Sequence, residues 1–147
     1  MHIAAYTVFI KLHQVCSFVR KSLSNTRAFR KKPMEFIQTV NDLDRRVRLL
    51  GKEVEKIFLI NGSLDPSRLP GELSLTLALA VYFTYNDLLF DIHTTLTYPW
   101  SRGIISLRQH PSFRSQVERS HSVVAKACRD IILTSRHVPL DAACPFL

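Results

Sequence analysis

Tyr82–Trp100, YFTYNDLLFDIHTTLTYPW, is the stretch whose reading decides the fold. It is apolar on nearly every face, yet it carries Asn86, Asp87, Asp91 and His93. A helix coated all round in apolar residues belongs at the centre of a helical assembly. Extended back to Leu73, the apolar run is long enough to span a bilayer. Asn86 and Asp87 interrupt it, with Asp91 and His93 just beyond, and charge at that depth is costly in lipid. The expectation is a buried helix with no membrane partner, an interior rod over Leu75–Leu96. It starts near Gly71–Ser74 and ends by Pro99, because the residue before a proline is pushed out of the α region.

Working outward, residues 61–73 (NGSLDPSRLPGEL) hold two prolines, two glycines and an Asn-Gly pair, which marks the clearest break in the chain. Before it, Phe36, Val40, Leu43, Val47, Leu50, Val54 and Ile57 recur at alternating spacings of four and three. That 3.5-residue period predicts a helix over Pro33–Ile60 with a heptad seam. The seam fits either a core helix or a dimerising coiled coil. Gly51, at its middle, costs an isolated helix about 1 kcal/mol. Pro33 suits the first turn, where its missing N–H is not needed. Residues 3–23 read as a first helix with Ile3, Tyr6, Phe9, Ile10, His13 and Val15 inward. After the rod, Ser115 and Glu118 have capping-box spacing, so a last helix is expected to start there. Its inward stripe is Val117, His121, Val124, Cys128, Ile131 and Ser135, with a small-residue seam at Ala125, Ala127 and Cys128, and Pro139 stops it. The fold class is all-α, an array of about four to five packed helices over residues 1–138, with 139–147 as a C-terminal tail.

Composition agrees. At 147 residues with 46% hydrophobic content, the chain is long enough for one real core, and four glycines are few for a turn-rich β-sandwich. The net charge of +8 is concentrated in residues 1–50, which hold ten Lys/Arg against three Asp/Glu. Such a field attracts phosphate, anionic lipid or acidic protein segments and says nothing about fold. Met1–Val19 is apolar but lacks the charged start and cleavage site of a signal peptide. Cys16, Cys128 and Cys144 are widely spaced and odd in number, which fits a reducing compartment, and Cys16 and Cys128 fall among apolar residues at helical spacing, as small hydrophobes do.

The chemistry-bearing constellations are few. Asp87 and Asp91 lie one helical turn apart, and the simplest reading is buried polar anchors paired with arginines or loop amides from neighbouring helices. The six histidines show no His-x-x-x-His pair, and there is no Cys-x-x-Cys, phosphate loop or nucleophile elbow. No catalytic, metal or DNA-binding residue is therefore assigned. Arg27, Arg30, Lys31 and Lys32 fit a nuclear import patch or phosphate contact as well as a solvated basic loop. Arg45, Arg46 and Arg48 stand beside Asp42 and Asp44, where local ion pairing is the simple account.

The order of these signals resembles the fungal-specific transcription factor domain, the middle homology or xylanolytic-activator regulatory domain of binuclear zinc cluster factors. The likeness rests on Lys11-Leu12-His13-Gln14-Val15, on Asp44–Leu50 leading to Leu69-Pro70, on Leu89, His93, Leu96 and Pro99, and on Ser122, Cys128, Ile131 and Ile132. It spans roughly Ala5–His137 and lacks the family's cysteine cluster and the first part of its regulatory domain. The resemblance implies a partial regulatory domain in the nucleus, with zinc and DNA contact only through the absent cluster. Its partners would be another protein or the rest of the regulatory domain. The alternative is a stand-alone helical interaction protein, a homodimer through Phe36–Ile57.

Overall fold

A computed structural model describes residues 2–24, 33–60, 63–97 and 111–138. Among them are four α-helices: α1 (His2–Ser24), α2 (Pro33–Phe58), α3 (Leu75–Thr97) and α4 (Pro111–Ser135). A short 3-10 turn, Pro66–Arg68, lies in the α2–α3 connection. The chain is an all-α packed array. Pro99, the basic group Arg27, Arg30, Lys31 and Lys32, and the tail 139–147 fall outside the described residues.

Consecutive helices run antiparallel, as their cross-contacts show. Lys11 of α1 pairs with Glu53 of α2 at 2.9 Å, and Arg46 of α2 lies 5.1 Å over the ring of Phe18 of α1. Further on, His93 of α3 meets both Asp44 of α2 and Ser120 of α4.

α3 is the central rod. Of its residues only Thr76 and Asp87 are exposed. Leu88, Ile92 and Leu96 are among the largest fully buried side chains, each stabilising the fold by about 1.5–3 kcal/mol relative to exposure. Polar residues enter this interior because their groups are satisfied locally. The hydroxyls of Thr94, Thr95 and Thr97 donate to carbonyls one turn back, and Asn86 Nδ2 donates to the Tyr82 carbonyl at 3.0 Å.

α2 buries the heptad seam within the chain: Phe36, Val40, Leu43, Val47 and Val54 are buried, with Leu50 and Ile57 packed half-buried against them. Pro33 opens the helix, Glu35 sits in the first turn and Lys56 in the last, each complementing the helix dipole. Leu59 ends it in the left-handed region (φ 52°), and the Ile60 N–H returns to the Glu55 carbonyl at 3.0 Å, closing the terminal carbonyls as a left-handed cap does. The connection that follows is anchored by Ile60, Leu64 and Leu73, all buried. Asp65 caps the 3-10 turn by accepting from the Ser67 amide at 3.0 Å.

Two inward faces differ from the sequence reading. In α1, Ile3, Tyr6, Ile10 and His13 are exposed, Ile3 at 84%, while Ala5, Val8, Leu12 and Val19 are buried and Phe9 and Val15 are half-buried. This helix is apolar on two sides, so periodicity is ambiguous. The docked side brings Lys11 to Glu53 and Arg20 to Asp87 and Asp91.

α4 begins at Pro111, four residues before the expected Ser115 start. A proline at the first turn needs no partner for its nitrogen, so the capping-box spacing of Ser115 and Glu118 falls inside the helix. Its buried face is Phe113, Gln116, Ser120, Ala127, Asp130 and Thr134. His121, Ala125 and Ser135 are exposed, and Val117, Val124, Cys128 and Ile131 only half-buried. The stripe is mostly polar, and two of its members, Ser120 and Asp130, are hydrogen-bonded by His93 and Tyr82 of α3.

Candidate functional site

Asp44 is the hub of the interior. On α2, Asp44 and Arg48 are one turn apart and share a face, so the Arg48 Nε–H lies between both carboxylate oxygens at 2.8 and 3.0 Å. α4 delivers Arg119, whose Nη2 donates to Asp44 Oδ2 at 2.8 Å. α3 delivers His93, whose Nε2 is 3.1 Å from Asp44 Oδ1 and whose Nδ1 is 3.0 Å from Ser120 Oγ. Ser120 stands next to Arg119 on α4, and three helices are tied by one carboxylate and one imidazole.

The simplest proton assignment satisfies every group: Nε2–H donates to the carboxylate, and the serine hydroxyl donates to the bare Nδ1. Burial pushes the Asp44 carboxyl up, but the hydrogen bonds from His93 and Arg48, with the Arg48 charge, outweigh it and hold it below the ordinary value. The acid, imidazole and hydroxyl stand in the order of a hydrolytic triad. His93 and Ser120 are both 0% exposed and Asp44 2%, so no reacting carbon reaches Oγ in this arrangement. Two guanidiniums also neutralise the carboxylate.

Beside the tie, α2, α3 and α4 enclose a cleft of about 210 Å³. Arg48 forms the end nearest Asp44, with Tyr82, Tyr85, Glu55, Lys126 and Asp130 around it. Lys126 pairs with Asp130 across one turn of α4, and Tyr82 hydrogen-bonds Asp130 as well. Burial, followed by the Asp130 charge, pushes the Tyr82 phenol up to about 12. Burial also raises Tyr85, partly offset by Arg48.

Gly51 explains how Tyr85 sits there. A Cβ at Gly51 would stand 2.6–2.7 Å from the end of the Tyr85 ring, so the bare Cα is a notch that lets the ring against α2. Gly51→Ala therefore lowers stability by up to about 2 kcal/mol, the cost of overpacking (about 1–3 kcal/mol) less the roughly 1 kcal/mol alanine gains in a helix. In a Tyr85→Ala background the same change raises stability by about 1 kcal/mol. Urea unfolding of the four proteins checks this, and equal signs in both backgrounds would refute the notch.

The remaining sequence candidates separate. Asp87 and Asp91 both face Arg20 of α1, at 3.5 and 3.6 Å, away from the His93 tie. Burial and the neighbouring Asp87 raise Asp91, with Arg20 offsetting them. Asp87 is exposed, so this is a surface pair worth about 0–1 kcal/mol and not the buried anchor expected. Arg45 pairs with Asp42 at 3.1 Å, while Arg46 takes the Phe18 ring instead of a carboxylate. Among the residues of the family pattern, Leu89, His93 and Leu96 are buried on α3, Cys128 and Ile131 are half-buried, and Ser122 and Ile132 are exposed. Cys16 and Cys128 are free, half-buried thiols. Among the described residues no three His, Cys, Asp or Glu side chains converge as a metal set.

Sequence reasoning missed the tie. Asp44 and Arg48 were legible as an i, i+4 pair, but nothing in the spacing joins them to His93 and Ser120, which lie 49 and 27 positions apart along the chain links they make.

Fold and site together define an all-α array keyed by a buried carboxylate–imidazole–hydroxyl tie beside a small polar cleft. No protein-family model matches the chain, and no curated protein or solved structure is significantly similar to it.

Proposed function

We propose that this chain is a non-catalytic regulatory domain of a fungal nuclear transcription factor, acting through helix packing rather than chemistry. The observation that carries the reading is the tie at Asp44, His93 and Ser120. It fixes the relative positions of three helices and keeps its only triad-like hydroxyl away from solvent. Such a buried polar arrangement specifies one packing of helices, which is what a domain that transmits a conformational state requires. The resemblance places a histidine in the same segment, Leu89–His93–Leu96, and that histidine is the buried centre here. DNA contact and zinc belong to a cysteine cluster that these residues do not supply, and the partner is a protein surface.

A homodimer through Phe36–Ile57 has less support, because that seam packs against the chain's own core. The test is a fusion of the full chain to a heterologous DNA-binding module and a fluorescent protein in a fungal host. The fusion is expected to enter the nucleus and change reporter output several-fold relative to the module alone, and Asp44→Ala is expected to abolish that change. Exclusion from the nucleus, or output equal to the module alone, would overturn the reading.

A further inference from the structure

The cleft between α2, α3 and α4 has the form of a ligand site. Its four charged side chains are Arg48, Lys126, Glu55 and Asp130, two of each sign. Lys126 and Asp130 neutralise one another. Arg48 gives only its Nε to Asp44, so its terminal nitrogens carry no hydrogen bond among the described residues. Glu55 lines the same cleft, is exposed and has no ion pair among the described residues. The Arg48 guanidinium nitrogens and the Glu55 carboxylate, one cationic end and one anionic, stand on residues two turns apart on one face of α2, about 10.5 Å along the axis. Gly51 lies between them and adds no side chain, and the Tyr85 ring packed on it forms an apolar wall.

We infer that this cleft binds a small zwitterion whose carboxylate and ammonium are separated by several carbons, the carboxylate on Arg48 and the ammonium on Glu55. A guanidinium with its terminal nitrogens open takes a carboxylate in a fork geometry. An ammonium beside Glu55 is also placed to use the face of Tyr85. The volume is below that of a drug-sized pocket, about 300–1,000 Å³, so the ligand is a metabolite-sized molecule with a short aliphatic chain. A single carboxylate or a single amine engages only one of the two residues, which sets the specificity. Because Arg48 also holds Asp44, occupancy is read by the tie that joins the three helices. The inference goes beyond the regulatory reading and does not depend on it.

The test is a titration of the full chain with ε-aminocaproate, followed by NMR at the Gly51 amide and the Tyr85 ring. Caproate and hexylamine are the single-charge controls. Saturable shifts are expected with ε-aminocaproate, with binding about tenfold tighter than either control. Glu55→Gln, at an exposed residue, is expected to bring the zwitterion's affinity down to that of caproate. Arg48→Gln, checked for helical content by circular dichroism, is expected to bring it down to that of hexylamine. If Arg48→Gln fails to fold, Glu55→Gln and the two controls decide alone. Absence of saturable shifts, equal affinity for all three compounds, or unchanged binding in Glu55→Gln would each overturn the assignment.

Discussion

Asp44→Ala is expected to lower the free energy of unfolding by about 3–5 kcal/mol, a large share of the roughly 5–15 kcal/mol that holds a domain together. The loss sits nearer the lower figure because the side chains of Arg48 and Arg119 are 44% and 54% exposed and can turn to water. His93 cannot. Its Nε2–H would be left buried with no acceptor, and that unsatisfied donor alone costs about 1–3 kcal/mol. Asp44→Asn keeps one acceptor for the imidazole and is expected to lose less. Urea unfolding near neutral pH measures both, and a loss under about 1 kcal/mol for the alanine variant would show that the tie contributes little.

The same carboxylate sets a pH dependence with a definite sign. Its pKa is held below the unfolded value of 3.8, so the folded state binds its proton less readily than the unfolded chain. The stabilisation is therefore fully present above that value and is lost as pH falls through the folded pKa. Between about pH 5 and about pH 2, the native protein is expected to lose more stability than Asp44→Asn. Parallel acid-unfolding curves for the two proteins would contradict this.

Val47→Asp should abolish folding. Val47 is fully buried in the middle of the α2 seam, where a carboxyl meets neither a cation nor water. Holding it there near neutral pH costs about 4–5 kcal/mol through the forced rise in its pKa, and the lost valine burial adds about 1.5–2 kcal/mol. The sum approaches the whole stability of the domain. Leu49→Asp, on the exposed side of the same helix, is expected to stay within about 0.5 kcal/mol of the parent. Circular dichroism together with solution mass separates the two uses of the heptad. A folded monomer released by Val47→Asp would mean that the seam joins two chains; loss of helix at any mass means that it is the core of one.

The heptad was legible because its residues recur at a fixed interval within one element, and α2 forms and buries those positions as that interval requires. The apolar coat of α3 was equally legible, and it alone required a central rod with helices wrapped around it. What spacing left open was rotation. α1 carries apolar residues on two sides, and Ala5, Val8 and Leu12 went inward while the bulkier Ile3, Tyr6 and Ile10 did not. In α4 the hydrophobic pattern pointed to Val117, Val124 and Cys128, whereas the buried positions include Gln116, Ser120, Asp130 and Thr134. Ser120 and Asp130 went inward there because His93 and Tyr82 offered them hydrogen bonds from the facing helix. The value of that burial depends on partners far along the chain.

The amino-acid order by itself determined an all-helical chain, the break at 61–73, the place of α3 at the centre and the face that α2 buries. Each of these follows from local propensity and from the area of apolar surface removed from water, which are properties of single segments. Only the tertiary structure decided that Asp44, His93 and Ser120 meet, that Gly51 is a notch for Tyr85, and that Arg48 and Glu55 open into one cleft. Hydrogen bonds and close contacts depend on distance and direction between helices, and those exist only once the helices are packed.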